Sequence, residues 1–481
     1  MLSSGSTIFI SLKNLLEHDG LSKQRRNNKY PQMRARRQIT QVQPQARAAQ
    51  LDSVLLYGTF GLLMFGPLAF GAVEPWSTFV LEAGSAVLML LWFYKQWLGG
   101  ELAIEWNPLY LPTAGFAVLI LVQIVLGISA YRHDTIAGAM LYAAYGMLCF
   151  LAGQVLIRSS QARTLAVILA VYGCCIAAFS LLQGIAPNGK LYWIRQPTMG
   201  GWIYGPYVNH NHYAGLMELL VPIPLILSLT RLVDDKERIV AGVAAAVMVG
   251  TVFLSGSRGG MLAIFVELAL FGIILFRQRK TVRIAIGVAS FAIVLIGLLT
   301  WVGGKELTTR VSSISTEAHT ELSGGMRVSI DRDAFRMFRT KPLLGWGLGT
   351  FPVVYPQYRS FYTNFFVNEA HNDYLQLLCE MGVLGFALMV WFVIILYRQA
   401  LRKIGNWMSD VSGAVTLACT LGFTGILVHS FLDFNLQIPA NAAIFYVLCT
   451  IAAAPPLLQR SRKRRPVSTE EEEIVPASEV V

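Results

Sequence analysis

Runs of about twenty consecutive apolar residues recur along most of this chain. A backbone crosses lipid only as a helix or a closed barrel, because its polar groups must be satisfied internally. The runs lie at about 53–71, 77–98, 108–129, 136–157, 164–184, 210–230, 239–255, 260–276, 282–302, 373–397, 411–431 and 438–456. They are continuously apolar rather than alternating, which predicts helices. Composition agrees: 14% of the 481 residues are charged, 54% are hydrophobic and the mean hydropathy is +0.53, against about 25% charged in soluble domains. The prediction is an all-α polytopic membrane protein of about twelve helices. The weakest runs are 210–230, which holds Pro222 and Pro224, and the closely spaced pair 239–255 and 260–276.

Lys and Arg in the short connections set the orientation. With the N-terminus inside, the inner connections hold Lys95, Arg158, Arg163, Arg231, Lys236, Arg238, Arg277, Arg279, Lys280, Arg283, Arg398, Arg402 and Lys403; the outer ones hold only Arg132, Lys190, Arg195 and Arg258. The basic segment 460–465 then also falls inside, as an even helix count requires. The expected organisation is a basic cytoplasmic tail (1–50), nine helices (51–302), a large, partly helical outer loop (303–371), three helices (372–457) and a cytoplasmic tail (458–481). A short apolar patch, Thr7 to Leu12, interrupts the first tail. The net charge of +11 sits in tails and inner connections and does not point to nucleic acid. The six cysteines all lie in apolar runs without a C-x-x-C pair, so no zinc or redox site is expected.

This topology makes the exceptions informative. Arg258 lies in S-G-S-R-G-G (255–260), at the outer surface and against the charge rule. Open backbone N–H groups and a helix N-terminus there favour an anion; an Arg snorkelling to lipid phosphate is the plainer reading. The outer loop carries Arg327 after two glycines, in a segment to Lys341 whose Ile330, Ala334, Phe335 and Phe338 recur at helical spacing, ended by Pro342. Next come P-L-L-G-W-G-L-G-T-F (342–351) and then H-N-D-Y-L-Q (371–376). His371 suits a base near neutral pH or an interfacial anchor. Its neighbours Asn372 and Asp373 are good helix caps. The outer connection 186–211 is rich in Tyr and Trp, which suits sugar rings or an interfacial belt. His210 and His212 lack an accompanying carboxylate cluster, so no metal is expected.

Taken together, Y-V-N-H-N-H-Y-A-G (207–215), S-G-S-R-G-G (255–260), G-G-M-R (324–327) with P-L-L-G-W-G-L-G-T-F, and H-N-D-Y-L-Q resemble the O-antigen ligase and polymerase family of bacterial membrane glycosyltransferases. F-G-A-V-E-P-W-S (70–77) and H-S-F-L-D-F-N-L-Q-I-P-A-N-A (429–442) are similar to further segments of that family. The resemblance spans roughly 55–450. His210 stands where the family commonly has Pro and is not carried over. The resemblance implies a GT-C-like fold in the bacterial inner membrane, with both termini cytoplasmic and the site periplasmic. It implies metal-independent, inverting transfer of a glycan from an undecaprenyl-diphosphate carrier to a glycan, lipid or protein hydroxyl, with no cofactor. On the matching positions, Arg258 and Arg327 would grip the diphosphate and His371 would activate the acceptor. Asn209, Asn211, His212, Tyr374 and Asp433 would line the site. The competing class is a transporter of a small anion such as bicarbonate, which would place ionisable groups and broken helices near the midplane. Here the polar candidates gather at the outer face, and Glu82 and Glu267 are the main midspan acids. A third class is a non-catalytic scaffold of a polysaccharide export complex.

Overall fold

The computed structural model describes residues 7–11, 31–197, 202–277, 324–363 and 366–458. The expected helix at 282–302, the first part of the outer loop with Arg310, and the basic segment 460–465 lie outside these residues. Among the described residues, nine helical spans are long and apolar enough to cross a membrane, one of them His210–Leu229, which is made of two successive helices, and two apolar helices are shorter. In chain order the helices are α1 (Pro31–Leu68), α2 (Pro75–Gly99), α3 (Tyr110–Val125), α4 (Arg132–Val155), α5 (Ser159–Ile185), α6 (His210–Leu220), α7 (Pro222–Leu229), α8 (Asp235–Ser255), α9 (Arg258–Arg277), α10 (Gly324–Thr340), α11 (Phe351–Val354), α12 (Asp373–Lys403), α13 (Val411–His429) and α14 (Pro439–Ala453).

Most apolar runs map onto these helices within a few residues. The run 210–230 becomes the pair α6 and α7, joined at Val221 where Pro222 opens the second helix. Pro tolerates a first helical turn but removes a donor from any interior one, so the break follows from the sequence. Glu237 and Asp234 form a capping box at the head of α8, which fixes its start ahead of the apolar run. The N-terminal region carries two described elements. Helix α1 starts at Pro31, and Thr7–Ser11 (β1) pairs antiparallel with Glu101–Glu105 (β2). The β-branched and aromatic residues of T-I-F-I-S suit a strand.

One end of the bundle gathers β1, β2, the 158 connection, the 231 connection and Leu458: Arg231 N–H donates to the Met408 carbonyl at 3.0 Å and Leu458 N–H to the Ile157 carbonyl at 2.8 Å. The opposite end carries the start of α2, the head of α9, α10 and the start of α12. The core between them is formed chiefly by α6, α7, α8, α13 and α14; Leu216, Met217, Leu219, Val249, Leu417, Phe423 and Cys449 are fully or almost fully buried. Helix α6 is buried on every side, as expected of a central helix in a membrane bundle.

Candidate functional site

Helix α10 projects from the site end and is amphipathic. Ile330, Ala334 and Met337 are buried against Phe351, Tyr355 and Cys379, with Phe338 packed beside them. Phe335, on the expected apolar face, is instead exposed. The helix stops at Thr340, ahead of Pro342.

The glycine-rich stretch after it straps α10 to the membrane helices. Helix α12 is kinked at Gly382, whose φ is +64°. A kink frees backbone groups that cannot be left bare at membrane depth. The strap satisfies them: Val383 N–H donates to the Pro342 carbonyl at 2.8 Å, while Trp346 and Gly347 N–H donate to the Cys379 and Glu380 carbonyls at 2.9 Å each. The Glu380 carboxylate accepts from Gly349 and Phe351 N–H at 2.9 and 3.2 Å. Gln123 of α3 adds bonds to the Leu344 and Glu380 carbonyls at 2.7 and 2.8 Å. A Cβ at Gly345, whose φ is +70°, would overlap the Glu380 backbone. The motif thus has a structural task, which is to hold α10 and its Arg327 in place.

Arg327, in the first turn of α10, reaches the turn between α13 and α14. Its Nη1 donates to the Leu432 carbonyl at 2.9 Å and its Nη2 lies 3.7 Å from Asp433 Oδ2. His371 Nδ1 lies 3.3 Å from Asp433 Oδ1. Burial would raise the Asp433 pKa, but the His371 imidazole and the Arg327 guanidinium beside it hold it well below the usual carboxylate range. Asp331 of α10 is raised by its burial, against the opposing influence of Asn372, His371 and Arg327. The backbone of His371 is left-handed, with φ +54°, a conformation that costs a non-glycine residue about 1–3 kcal/mol and persists only under external constraint. The constraint is visible on its C-terminal side. The Asn372 side chain caps α12 by accepting from Tyr374 and Leu375 N–H at 3.2 Å each, and Asp373 N–H donates to the Ser430 carbonyl at 2.9 Å.

The structure brings His371, Arg327 and Asp433 together, and His212 shares an aromatic neighbour with His371. His212 stacks edge-on against Phe434 at 4.7 Å, and His371 meets the same ring at 4.7 Å. Phe434, absent from the sequence expectation, therefore contacts both imidazoles. Asn209 is the cap of α6, accepting from Asn211 N–H at 2.8 Å, and Asn211 is buried in the first turn. The Tyr374 hydroxyl donates to the Leu427 carbonyl at 2.5 Å, with its ring on Phe431 at 4.2 Å; both contacts are structural. His210 packs on Trp202 at 4.9 Å. Arg258 is exposed as the first residue of α9; Gly256 before it is left-handed, and Ser257 Oγ accepts from Gly260 N–H at 3.1 Å as a cap. Helix N-termini of this kind favour anions. Much of the aromatic connection 186–197 is used internally: the Tyr192 hydroxyl donates to the Leu68 carbonyl at 2.6 Å, and Arg195 pairs with Glu74 at 2.7 Å.

Beside the cluster, an apolar cavity of about 390 Å³ runs between α3, α4, α12 and α14. Leu109, Phe116, Tyr142, Leu377, Phe392 and Tyr446 are among its walls, and Asp373, Tyr374 and Gln437 line it at the level of the site. Gln437 Nε2 donates to Asp373 Oδ1 at 3.2 Å, and Asp373 Oδ2 accepts from Ser430 Oγ at 2.7 Å, so this rim is continuous with the turn that carries Asp433.

Residues 243–390 match the model of a family described as O-antigen ligase. The match takes in Arg258, Arg327, the strap, His371 and Tyr374; Asp433 and the α6 residues lie outside it. No curated protein matches the chain.

Proposed function

We propose, from the premise that the chain belongs to the O-antigen ligase family, that it moves a glycan from an undecaprenyl-diphosphate carrier to a hydroxyl acceptor at the outer face of the bacterial inner membrane. The observation that carries this reading is the meeting of Arg327 and His371 on the buried carboxylate of Asp433. A glycosyl diphosphate already holds a good leaving group, so the demand on the protein is charge stabilisation on phosphate and removal of one acceptor proton. Arg327 and the Arg258 head of α9 supply the first, in the place that a divalent cation takes in other transferases. His371 supplies the second. Its Nδ1 faces Asp433, which directs Nε2 to the acceptor hydroxyl as base. The acceptor oxygen then bonds the anomeric carbon as the bond to the diphosphate breaks, inverting that centre. Asn209, Asn211, His212 and Tyr374 shape the walls, and the apolar cavity suits the hydrocarbon chain of a lipid-borne substrate. Both termini are cytoplasmic in this reading.

The test is transfer by purified protein in proteoliposomes supplied with lipid-linked glycan. Consumption of the lipid-linked glycan with product on the acceptor is expected; bicarbonate uptake without consumption would replace the reading with a transporter. The surface glycans of a deletion strain separate the acceptors. Loss of long chains with one repeat retained marks a polymerase, and complete loss with lipid-linked polymer accumulating marks a ligase.

A further inference from the structure

Glu218 of α6 and His429, the last residue of α13, form a buried pair with His429 Nδ1 2.7 Å from Glu218 Oε1. Both side chains are almost completely shielded, at 0% and 1% exposure. A carboxylate and an imidazole at membrane depth are costly, and such groups are retained where they do something. The mechanism above uses neither.

Their surroundings are built for them. A Cβ at Gly259 would overlap the His429 ring, and one at Gly260 would stand 3.2 Å from Glu218 Oε1 and 2.6 Å from the Ala214 Cβ. On α13, a Cβ at Gly425 would overlap the carboxylate of Glu267, a second buried acid. The absence of side chains at these glycines lets the head of α9 lie directly on the pair. Arg258 is the residue before Gly259. On the other side, the His429 carbonyl accepts from Leu432 and Asp433 N–H at 2.8 and 3.1 Å. Leu432 and Asp433 are in turn the two residues that hold Arg327. His429 therefore stands at the junction from which both arginine positions hang, one through α9 and one through the turn after α13.

We infer that Glu218 and His429 are positioning residues: the pair clamps the end of α13 to the head of α9 and so sets the distance between Arg258 and the Arg327–Asp433–His371 cluster. The inference rests on the transferase reading for its kinetic consequence but not for its geometric one. Glu218→Ala removes the clamp, whereas Glu218→Gln keeps an acceptor for the imidazole N–H.

Two measurements test it. In transfer kinetics, Glu218→Ala and His429→Ala are each expected to lower kcat by about 10- to 100-fold, since misplacement of distant support costs about that much. The double variant should be no worse than either single one, and Glu218→Gln should recover most of the loss. Spin labels at the exposed positions Leu262 and Val328 then read the separation of α9 from α10 without any substrate. The distance distribution should broaden in Glu218→Ala and remain narrow in Glu218→Gln. An unchanged distribution in Glu218→Ala, or single losses that multiply in the double variant, overturns the clamp. Broadening in a protein that consumes no lipid-linked glycan instead overturns the transferase reading and leaves the clamp standing.

Discussion

His371 Nδ1 lies 3.3 Å from Asp433 Oδ1, across a distance of sixty-two residues in sequence. The carboxylate is placed to fix which ring nitrogen faces it, leaving the other for a substrate. Replacing His371 with Ala is expected to lower transfer by about 100- to 10,000-fold, the usual worth of a positioned base, without loss of protein from the membrane. Asp433→Asn should fall in the lower part of that range, because the imidazole survives and only its orientation is lost. Near-normal turnover by His371→Ala removes it as the base. Asp433 itself has a depressed pKa. The stability from its ion pairs is therefore present above the ordinary carboxylate pKa of about 3.9 and is lost only as pH falls towards the folded value.

Arg258 and Arg327 make separable predictions. Removal of one preorganised donor to a developing phosphate charge costs about 100- to 1,000-fold in rate, and that loss is expected for Arg258→Ala and for Arg327→Ala. The conservative changes should differ. Arg327 uses one nitrogen on the Leu432 carbonyl and another towards Asp433, a fork that lysine cannot reproduce, so Arg327→Lys should lose nearly as much as Ala. Arg258 is exposed at a helix N-terminus, where a point charge serves, so Arg258→Lys should retain a substantial part of its rate. Steady-state kinetics on the four variants decide this; equal sensitivity at both positions removes the distinction.

How much of this was legible in the sequence depended on the range of the cause. Helix positions follow from local apolar runs, and the break at Pro222 follows from one residue's missing N–H. Arg258 stands out as an exception to the charge rule and His371 as a titratable group at a helix entry, whereas Arg327 lies in a polar loop and is singled out only by the family resemblance. Asp433 does not stand out either, since an acid in a connection is unremarkable until the fold sets it between a histidine and an arginine; only the family resemblance pointed to it. Phe434 was illegible for the same reason. Glu218 was hidden inside an apolar helix, and its partner His429 lies 211 residues away. The structural task of the strap glycines is created by the kink at Gly382, which no local pattern announces. The β1–β2 pairing also depends on a partner remote in sequence.

The strap makes a mechanical prediction. Gly345→Ala places a methyl group on the Glu380 backbone and forces an alanine to φ +70°, a strain of about 1–3 kcal/mol before any clash. The variant should loosen α10 and leave the membrane helices intact. Faster proteolytic cleavage within 324–341 at unchanged membrane insertion is the expected signature, together with lower transfer because Arg327 is no longer held. Cleavage at the wild-type rate would mean that α10 is anchored by its apolar face alone.

Glu369 gives the outer loop a pH dependence. This half-buried acid accepts a hydrogen bond from Gln376. Its pKa is pushed up to about 8 by burial, with the Glu380 and Asp373 charges adding to the rise and the Gln376 bond opposing it. A carboxyl with a raised folded-state pKa binds its proton more tightly when folded. Its contribution to stability is complete below the unfolded value of about 4.3, declines as pH rises, and is gone once pH passes about 8. Glu369→Gln cannot ionise and preserves the side-chain shape. Between pH 5 and pH 8 the unfolding temperature of the wild-type protein in detergent should therefore fall more steeply than that of Glu369→Gln, with the two closest at acid pH. Parallel curves over that interval would assign the pH dependence to another group.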